Sequence, residues 1–374
     1  MDFQFGIEHE VAFLRPNGQF ADFGNTTFEE FEAIVRRLPQ YTQDYPQLRI
    51  GDAGIKRKRW YVEGFERFDL SGHVVDCPPK GIEIRTTVHG SIEGAVDELK
   101  ESFRQLCLEA TKDGFIPALV SFHPIRTEFV PQPPLNQFEI ARRQESPEMQ
   151  TAQIPMLTQG PDINLSAQVL TPAQLIDIGR KLTYYSPFIV PFSHSSPFYR
   201  GELWQGLSVR TFYRTGARPA AMVFLEHERD LVDSSPSLTQ IARVRAEVGR
   251  IEFKAFDSCG DFDLYASLAA LLKGLVLDQS LAGRRDVPEA SLHQRSAKFG
   301  FADKTIYSTA KQVLAAAKCA LARWGEPLDC SLLKRLENQL ENQDCFAQSM
   351  IAAYQKGLSI EQVLIQGYEQ SVLT

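Results

Sequence analysis

Segment 3–13 constrains the fold of this chain more than any other, because it predicts a β-strand with two chemically opposite faces. Side chains alternate between the two faces of a strand. One face is apolar except for His9, and the other carries Glu8 and Glu10 beside Gly6. The two carboxylates lie about 7 Å apart along the backbone, so they could share one cation or flank two. The same pattern also fits a solvated outer face, and only the rest of the chain separates the two interpretations.

Three later segments repeat the pattern of a polar face opposite an apolar face. The predicted strands and their polar residues are 80–88 with Glu83, Arg85 and Thr87, 162–169 with Asp162, Asn164, Ser166 and Gln168, and 250–256 with Arg250, Glu252 and Lys254. Segment 207–211 also alternates, so it predicts a strand that places Ser208 and Arg210 together. The polar faces of these strands therefore combine carboxylates with cations.

The glutamates on these polar faces are candidate metal ligands. They are Glu8, Glu10, Glu83 and Glu252. Carboxylates a few ångströms apart resist joint ionisation, so pointing several of them one way is costly without a cation. Mg²⁺ or Mn²⁺ suits an all-oxygen ligand set, and Mg²⁺ commonly binds substrate phosphates as well. The basic side chains on the same strand faces would then bind phosphates or carboxylates. An ATP site of the P-loop type is excluded, because the sequence has no G-x-x-x-x-G-K-[ST] motif.

Apolar residues at helical spacing predict helices between and after the strands. Thr27 and Glu30 have capping-box spacing at the start of the first helix. The predicted helices are 28–38, 92–112 and 172–185, followed by a C-terminal series at about 264–282, 304–323, 328–342, 345–355 and 359–370. Two or three antiparallel strands are expected within 39–80, and another strand over 117–130. The polar segment 131–160 is interpreted as a long surface loop, a type that often forms an active-site lid.

The order of these elements predicts the α+β class, because strands and helices lack the regular βαβ spacing of a parallel sheet. The sequence contains neither an internal repeat nor a low-complexity linker. A single domain over 1–374 is therefore expected, with 1–260 as the sheet-forming core with its helices and 261–374 as the helical part of the same domain.

Composition argues against several classes of protein. A formal net charge of -7 lacks the basic excess of a nucleic-acid-binding protein, although 56–59 is a short basic run. The six cysteines are dispersed without C-x-x-C or zinc-ligand spacing and are expected to be reduced thiols. There is no leader-like N-terminus and no run of about 18 apolar residues. We therefore expect a cytoplasmic protein that binds neither nucleic acid nor a membrane.

Four motifs in order along the chain resemble segments of a known family. They are Gly6-Ile7-Glu8-His9-Glu10 for a G-x-E-x-E strand, Ser195-Ser196-Pro197-Phe198 and Gly201 with Gly206, Ser208 and Arg210 for S-P-F-W-x-G…G-x-x-S-x-R, Arg250-Ile251-Glu252-Phe253-Lys254…Asp257 for R-[IV]-E-F-R…D, and Gln294-Arg295-Ser296-Ala297-Lys298-Phe299-Gly300 for N-x-x-R-A-x-x-Y-G. Asp76 with Glu83 matches an acidic pair of the same family. Together the motifs, which run from about residue 5 to 305, resemble the carboxylate–amine ligases related to glutamate–cysteine ligase, in their second, bacterial-type branch.

This resemblance implies a glutamine-synthetase-like fold, in which a curved, mainly antiparallel sheet forms a funnel. It implies ATP and Mg²⁺ (or Mn²⁺) as cofactors, phosphorylation of the side-chain carboxylate of glutamate or a similar acid, and attack by an amine such as cysteine. By carry-over, the metal ligands are Glu8, Glu10, Glu83 and Glu252, the catalytic clamps are Arg210, Arg250 and Arg85, and the cofactor-binding residues are Lys254, Asn164 and Ser208. The implied partners are an amino acid, an amine and ATP, and fold analogy suggests a homodimer.

Two positions depart from the family pattern. Where relatives often carry H-[IV]-H-V-G, the segment 162–166 places Asn164 at the usual histidine. An amide can also ligate magnesium or bond a phosphate, so this change is compatible with another substrate or with weaker catalysis. His194 lies in a loop where relatives have a small residue. It is either packed or solvated, or it serves substrate recognition or proton transfer from the amine.

Several functions compete with a ligase on sequence grounds. A guanidino-kinase-type phosphotransferase uses a similar fold, but only the carboxylate strand matches that family. A metal-dependent hydrolase would direct the acidic residues at water. A non-catalytic sensor would keep the nucleotide or amino-acid pocket without turnover.

Overall fold

A single large sheet organises the structure, a computed structural model that describes residues 2–41, 59–167, 170–325 and 327–368. The strands are β1 (Phe3–Leu14), β2 (Phe20–Ala21), β3 (Trp60–Gly64), β4 (Arg67–Phe68), β5 (Val74–Asp76), β6 (Pro79–Arg85), β7 (Ile116–Ala118), β8 (Asp162–Ala167), β9 (Phe198–Tyr199), β10 (Glu202–Leu203), β11 (Ala221–Leu225), β12 (Thr239–Ile241) and β13 (Ile251–Phe253). The sheet order is β12-β11-β13-β8-β1-β6-β3, with β2 and β7 also paired to β1. Only the β11–β12 pair is parallel among the described strand pairs of this sheet, which curls strongly into a half-barrel.

Helices cover the apolar face of the sheet and form the C-terminal third of the described chain. They are α1 (Phe28–Arg37), α2 (Ile92–Thr111), α3 (Gln137–Arg143), α4 (Pro147–Gln150), α5 (Pro172–Ile189), α6 (Val209–Arg214), α7 (Phe262–Leu277), α8 (Ala290–Phe299), α9 (Lys304–Trp324), α10 (Pro327–Leu332), α11 (Lys334–Asn342), α12 (Phe346–Gln355) and α13 (Ile360–Ile365). α7 is buried almost all round, because it packs against both α2 and α9. None of the described helices is long and apolar enough to cross a membrane.

Strand β1 alternates as its sequence predicts, with buried residues on one face and partly exposed residues on the other over its first half. His9 is fully buried on the apolar face. Its ring nitrogens lie 3.0 Å from the hydroxyl of Tyr265 and 3.1 Å from that of Tyr368. Burial lowers the pKa of His9 to about 3, so the imidazole is neutral at physiological pH. His9 therefore belongs to the core behind Glu8 and Glu10 and does not share their surroundings.

The structure confirms the predicted fold class and most of the predicted elements. The α+β class, the curved and mainly antiparallel sheet, the strand at 80–88, the first two helices and the helical C-terminal third are all present. Thr27 and Glu30 form the predicted capping box. The parallel pair β11–β12 and helix α8 were not anticipated, and the predicted helix over 328–342 is divided into α10 and α11. Residues 56–58 of the short basic run and Gln168 lie outside the described residues.

Three local predictions are wrong. Segment 117–130 is a strand only as far as Ala118, because farther along the ring of His123 accepts the backbone amides of Ile125 and Arg126. Segment 131–160 lies mostly at the surface as predicted, but it is not a continuous loop, since it contains α3 and α4. Segment 207–211 is the start of α6 and not a strand, because the Ser208 hydroxyl caps the helix by accepting the amide of Thr211.

A buried ion pair holds the segment that contains α3. Glu139 is 1% exposed and accepts hydrogen bonds from Arg67 Nε at 2.7 Å and Nη2 at 3.1 Å. The backbone amides of Phe68 and Asn136 also donate to it, at 3.0 and 2.9 Å. Although burial opposes ionisation, these donors lower the pKa of Glu139 to about 2. The charged carboxylate therefore fastens α3 to β4.

We expect Glu139→Gln to destabilise the fold by about 3 kcal/mol, because it leaves the buried Arg67 without its counter-ion. Since the folded pKa of Glu139 lies below its usual value of 4.5, its contribution is full above about pH 4.5 and is lost as the pH falls towards 2. Urea unfolding at pH 7 and pH 3 measures both effects. Glu128→Gln, at an exposed carboxylate, is the control. Equal stability of the two variants at pH 7 would contradict this assignment.

Candidate active site

A cleft of about 1140 Å³ follows the polar face of the large sheet. Residues of β1, β3, β6, β8 and β13 form its floor, and α3, α4 and α6 contribute side chains to its walls. A volume of this size accommodates more than one small ligand. The carboxylates predicted from the strand patterns all line this cleft: Glu8, Glu10, Glu83 and Glu252.

Strand register brings three carboxylates together as a first cluster. Glu8, Asp162 and Glu252 offer oxygen atoms that lie within 4.8 Å of one another. Glu8 of β1 is paired with Asp162 of β8, and Glu252 of β13 is paired with Asn164, two residues farther along β8. Because side chains two residues apart share one face, Asp162 joins the two glutamates. We call this set the Glu8 cluster.

A second cluster lies on the other side of β1. Glu10, Glu63 and Glu83 also have oxygens within 4.8 Å of one another. Glu10 is paired with Glu83 of β6, which in turn is paired with Tyr61 of β3, so Glu63 reaches the same face two residues later. We call this set the Glu10 cluster. Adjacent same-face residues of β1 thus contribute to separate clusters, which fits the alternative in which Glu8 and Glu10 flank two cations.

Two arginines each contact two carboxylates in or beside the Glu8 cluster. Arg85 Nε lies 3.3 Å from Glu8 and 3.0 Å from Glu83, and its guanidinium stacks over the ring of Tyr61. Arg250 lies 3.5 Å from Glu8 and 3.3 Å from Glu252, stacked over Phe224. A guanidinium stacked on a ring is restricted in orientation, so both forks are fixed towards the cleft.

Two lysines make closer contacts with the clusters. Lys254 Nζ contacts both Asp162 and Glu252. Lys80 is buried, and its Nζ donates to Glu10 at 2.6 Å and to the carbonyls of Pro155 and Thr158 at 3.0 Å. Each cluster therefore has one ammonium group beside it.

The carboxylates of the Glu8 cluster differ in their pKa values. Burial, with the nearby charges of Glu83 and Glu252, raises the pKa of Glu8 to about 7. Burial, with the charge of Glu252, raises the pKa of Asp162 to about 7 as well. Burial acts in the same direction on Glu252, but Lys254 and Arg250 outweigh it and hold that pKa well below 4.5. Burial also raises the pKa of Glu83. Burial and the neighbouring carboxylates thus disfavour the charged forms of Glu8, Asp162 and Glu83, and a further positive charge nearby would favour them.

Asn164 joins the cleft at the position where the family pattern has a histidine. Its Nδ2 lies 3.4 Å from Glu8, and its Oδ1 accepts from Arg250 at 3.2 Å. The amide therefore holds a cation and a carboxylate in register and leaves the Glu8 cluster without an imidazole ligand among the described residues.

Two of the predicted ligand-binding residues are held differently from the expectation. Ser208 is fully buried, is not part of the cleft lining, and donates its hydroxyl to Asp257 at 3.0 Å while capping α6. Arg210 lines the cleft but is only 3% exposed, and it donates to the carbonyls of Ala255 and Lys254 at 3.1 and 3.0 Å. Asp257 also accepts from Ser196 at 2.8 Å. The serines of this motif therefore anchor the helix that carries Arg210.

The remaining sequence candidates lie away from the carboxylates. Asp76 is exposed on β5 and is not part of the cleft lining, and Glu63 is the residue that accompanies Glu83. His194 is fully buried, with its Nε2 3.1 Å from the carbonyl of Ser296, so it is a packed histidine. The site also contains Glu63, Asp162 and Lys80, which were not predicted as site residues. Of these three residues, only Asp162 had a signal in the sequence, which was its position on the polar face of a predicted strand.

Solved structures share this fold. The bifunctional glutathione synthetase of Pasteurella multocida matches with a TM-score of 0.61 and 12% identity over 99% of this chain. The chain spans 52% of the length of that protein. Glutamate–cysteine ligase of Francisella tularensis, solved in complex with AMP, matches with a TM-score of 0.60 and 9% identity over 100% of this chain and 88% of its own. The ligase PafA, in complex with the ubiquitin-like protein Pup, matches with a TM-score of 0.51, 13% identity and coverage of 100% and 76%.

These similarities confirm the fold that the motifs implied, a glutamine-synthetase-like curved sheet surrounded by helices. No protein-family model matches the sequence. A sequence comparison with curated proteins also gives no match.

Proposed function

We propose that this protein is an ATP- and Mg²⁺-dependent carboxylate–amine ligase that acts on the side-chain carboxylate of glutamate or a similar acid. In this reaction ATP transfers a phosphoryl group to the carboxylate, giving an acyl phosphate and ADP. An amine such as that of cysteine then attacks the acyl carbon and phosphate leaves. The observation that carries the proposal is the pair of carboxylate clusters on one sheet face, opposite arginines in the same cleft.

The residues of the cleft fit divalent cations by the chemistry of their donor atoms. Each cluster offers three carboxylates, and hard cations of the Mg²⁺ type prefer oxygen ligands. Glu8, Asp162 and Glu252 would hold one cation, and Glu10, Glu63 and Glu83 another. Bound there, magnesium would offset the negative charge of the phosphoryl group in transfer. The ammonium groups of Lys254 and Lys80 would turn towards substrate or carbonyl oxygens as the cations take their carboxylates.

The other cleft residues serve orientation in this proposal. Arg85 and Arg250 present guanidinium forks that match a phosphate or a carboxylate, and their stacking on Tyr61 and Phe224 keeps the forks in place. Asn164 keeps Arg250 aligned with Glu8. The partners implied are ATP, an amino acid and an amine. The homodimer and the single catalytic domain over 1–374 remain predictions.

A coupled assay for ADP tests the proposal. Candidate acids and amines are supplied singly and in pairs with ATP and Mg²⁺, and mass spectrometry follows the condensed product. A ligase releases ADP only when acid and amine are both present, whereas a guanidino kinase needs one acceptor and a metal-dependent hydrolase needs neither ATP nor amine. ATP binding in calorimetry without turnover across the panel would identify a sensor and contradict the proposal.

A further inference from the structure

Four of the basic residues that line the cleft have a partner in the two carboxylate clusters. Lys80, Arg85, Arg250 and Lys254 each form an ion pair with a member of the two clusters. Arg214, the last residue of α6, and Arg218, four residues later, line the same cleft without one. Within the described part of the chain, neither forms a salt bridge.

The hydrogen bonds of this pair go to neutral groups. Arg214 Nη2 lies 3.3 Å from the carbonyl of Pro219. Arg218 Nη1 donates to the carbonyl of Glu148 at 2.8 Å and contacts the hydroxyl of Thr151 at 3.4 Å. The carboxylate of Glu148 accepts from the amide and hydroxyl of Ser237 at 2.9 Å, and it acts on Arg218 through its charge without a salt bridge to it.

The surroundings of Arg214 add to its positive charge. Burial, together with Arg210 and Arg218, lowers the pKa of Arg214 well below its usual value. Arg210 is nine-tenths buried or more, faces the cleft, and has a buried Nε without a partner. Arg218 Nε is likewise buried without a partner. The opposing charges that act on Arg214 come from Asp162 and Glu10, one member of each cluster, across the cleft.

Like charges brought together and partly desolvated without counter-ions are costly. A protein retains such a group where a ligand supplies the missing charge. Arg210, Arg214 and Arg218, on α6 and the turn that follows it, form a cationic wall that faces the carboxylate clusters. A substrate between them would meet metal-binding acids on one side and guanidinium groups on the other.

We propose that Arg214 and Arg218 form an oxyanion subsite of the cleft, supported by Arg210, that takes a phosphate or carboxylate group of a substrate. Two guanidinium groups match the planar oxygens of either group by charge-assisted hydrogen bonds. Nothing in the motif resemblance involves these two residues. The inference rests on the proposed function only for the identity of the ligand, since the subsite itself is tested with inorganic phosphate.

Phosphate binding without metal is the first test. Without Mg²⁺ the clusters repel anions, so calorimetry with inorganic phosphate reports the arginine wall. We expect Arg214→Gln with Arg218→Gln to weaken phosphate binding at least 10-fold, and Arg214→Lys to weaken it less. Arg229→Gln, at an exposed arginine outside the cleft, should bind as the wild type does. Unchanged phosphate affinity in the double variant, or the absence of phosphate binding in the wild-type protein, would overturn the inference even if the ligase assay succeeds.

Stability and kinetics complete the test. A structural role for Arg214 predicts a lower Tm for Arg214→Gln, whereas a ligand-binding role predicts an unchanged or higher Tm, because repulsion is relieved. In the ligase assay, an increase of at least 10-fold in the KM for ATP identifies a phosphate as the ligand, and the same increase for the acid or amine identifies a carboxylate. A lower Tm together with unchanged KM values would assign the pair a structural role and reject the subsite.

Discussion

Glu8→Gln is expected to lower ligase turnover at least about 100-fold while the protein stays folded. Glutamine keeps the shape of Glu8 but removes a negative charge from the Glu8 cluster, where the cation would bind. Replacing a group that only supports a metal ligand lowers metal affinity or activity about 10- to 100-fold. Replacing a direct ligand should lower turnover by at least as much. The measurement is kcat over a series of magnesium concentrations.

Metal-dependent stabilisation gives a second readout of the same change. A ligand that binds only the folded state raises the Tm, so Mg²⁺ should stabilise the wild-type protein. Glu8→Gln and Glu252→Ala should both remove the part of this gain that comes from the Glu8 cluster, while the part from the Glu10 cluster remains. Glu29→Gln, at an exposed residue of α1, should retain the full gain and full activity. A wild-type response in Glu8→Gln would show that Glu8 is not a metal ligand.

The central strand was predictable because its signal is local. A period of two in polarity fixes which residues share a face, and the faces of β1, β6 and β13 follow the sequence pattern. Glu8, Glu83 and Glu252 could therefore be assigned to one face before any contact was known. The sequence could not give the strand order, so the division into a Glu8 cluster and a Glu10 cluster required the register of β6 and β8 on either side of β1.

Other parts of the site depend on contacts between distant segments. Glu63 enters the Glu10 cluster only because β3 pairs with β6. Lys80 reaches Glu10 because the carbonyls of Pro155 and Thr158 hold its ammonium group in place. Nothing in the local sequence of either residue signals these partners.

The prediction of a strand at 207–211 shows how a local pattern can mislead. Five alternating residues fit a strand, but Ser208 also fits a helix cap, and its buried partner Asp257 lies 49 residues away. The cap and the hydrogen bonds to Asp257 stabilise the helix, which then places Arg210 and Arg214 in the cleft. A tertiary contact thus overrides a short periodicity, and the outcome changes which arginines face the substrate.

Gly160 links the two walls of the cleft, and its replacement by alanine is the second change with a large expected effect. Its amide donates to Glu10 at 3.0 Å. A Cβ atom at this position would lie 2.3 Å from Nη2 of Arg210 and 2.7 Å from the carbonyl oxygen of Phe256. Contacts this short require Arg210 or the backbone to move, because no carbon approaches a polar atom so closely without displacement.

We expect Gly160→Ala to lower kcat/KM about 100-fold, because displacements near 1 Å in an active site have effects of that size. Overpacking should also destabilise the fold by about 1–3 kcal/mol. Gly90→Ala is the matched control, since a Cβ there meets no atom within 4 Å. Steady-state kinetics and urea unfolding of both variants separate the two effects. If Gly160→Ala keeps wild-type kcat/KM, Arg210 and Glu10 tolerate displacement, and the close packing of Gly160 between them does not set the geometry on which catalysis depends.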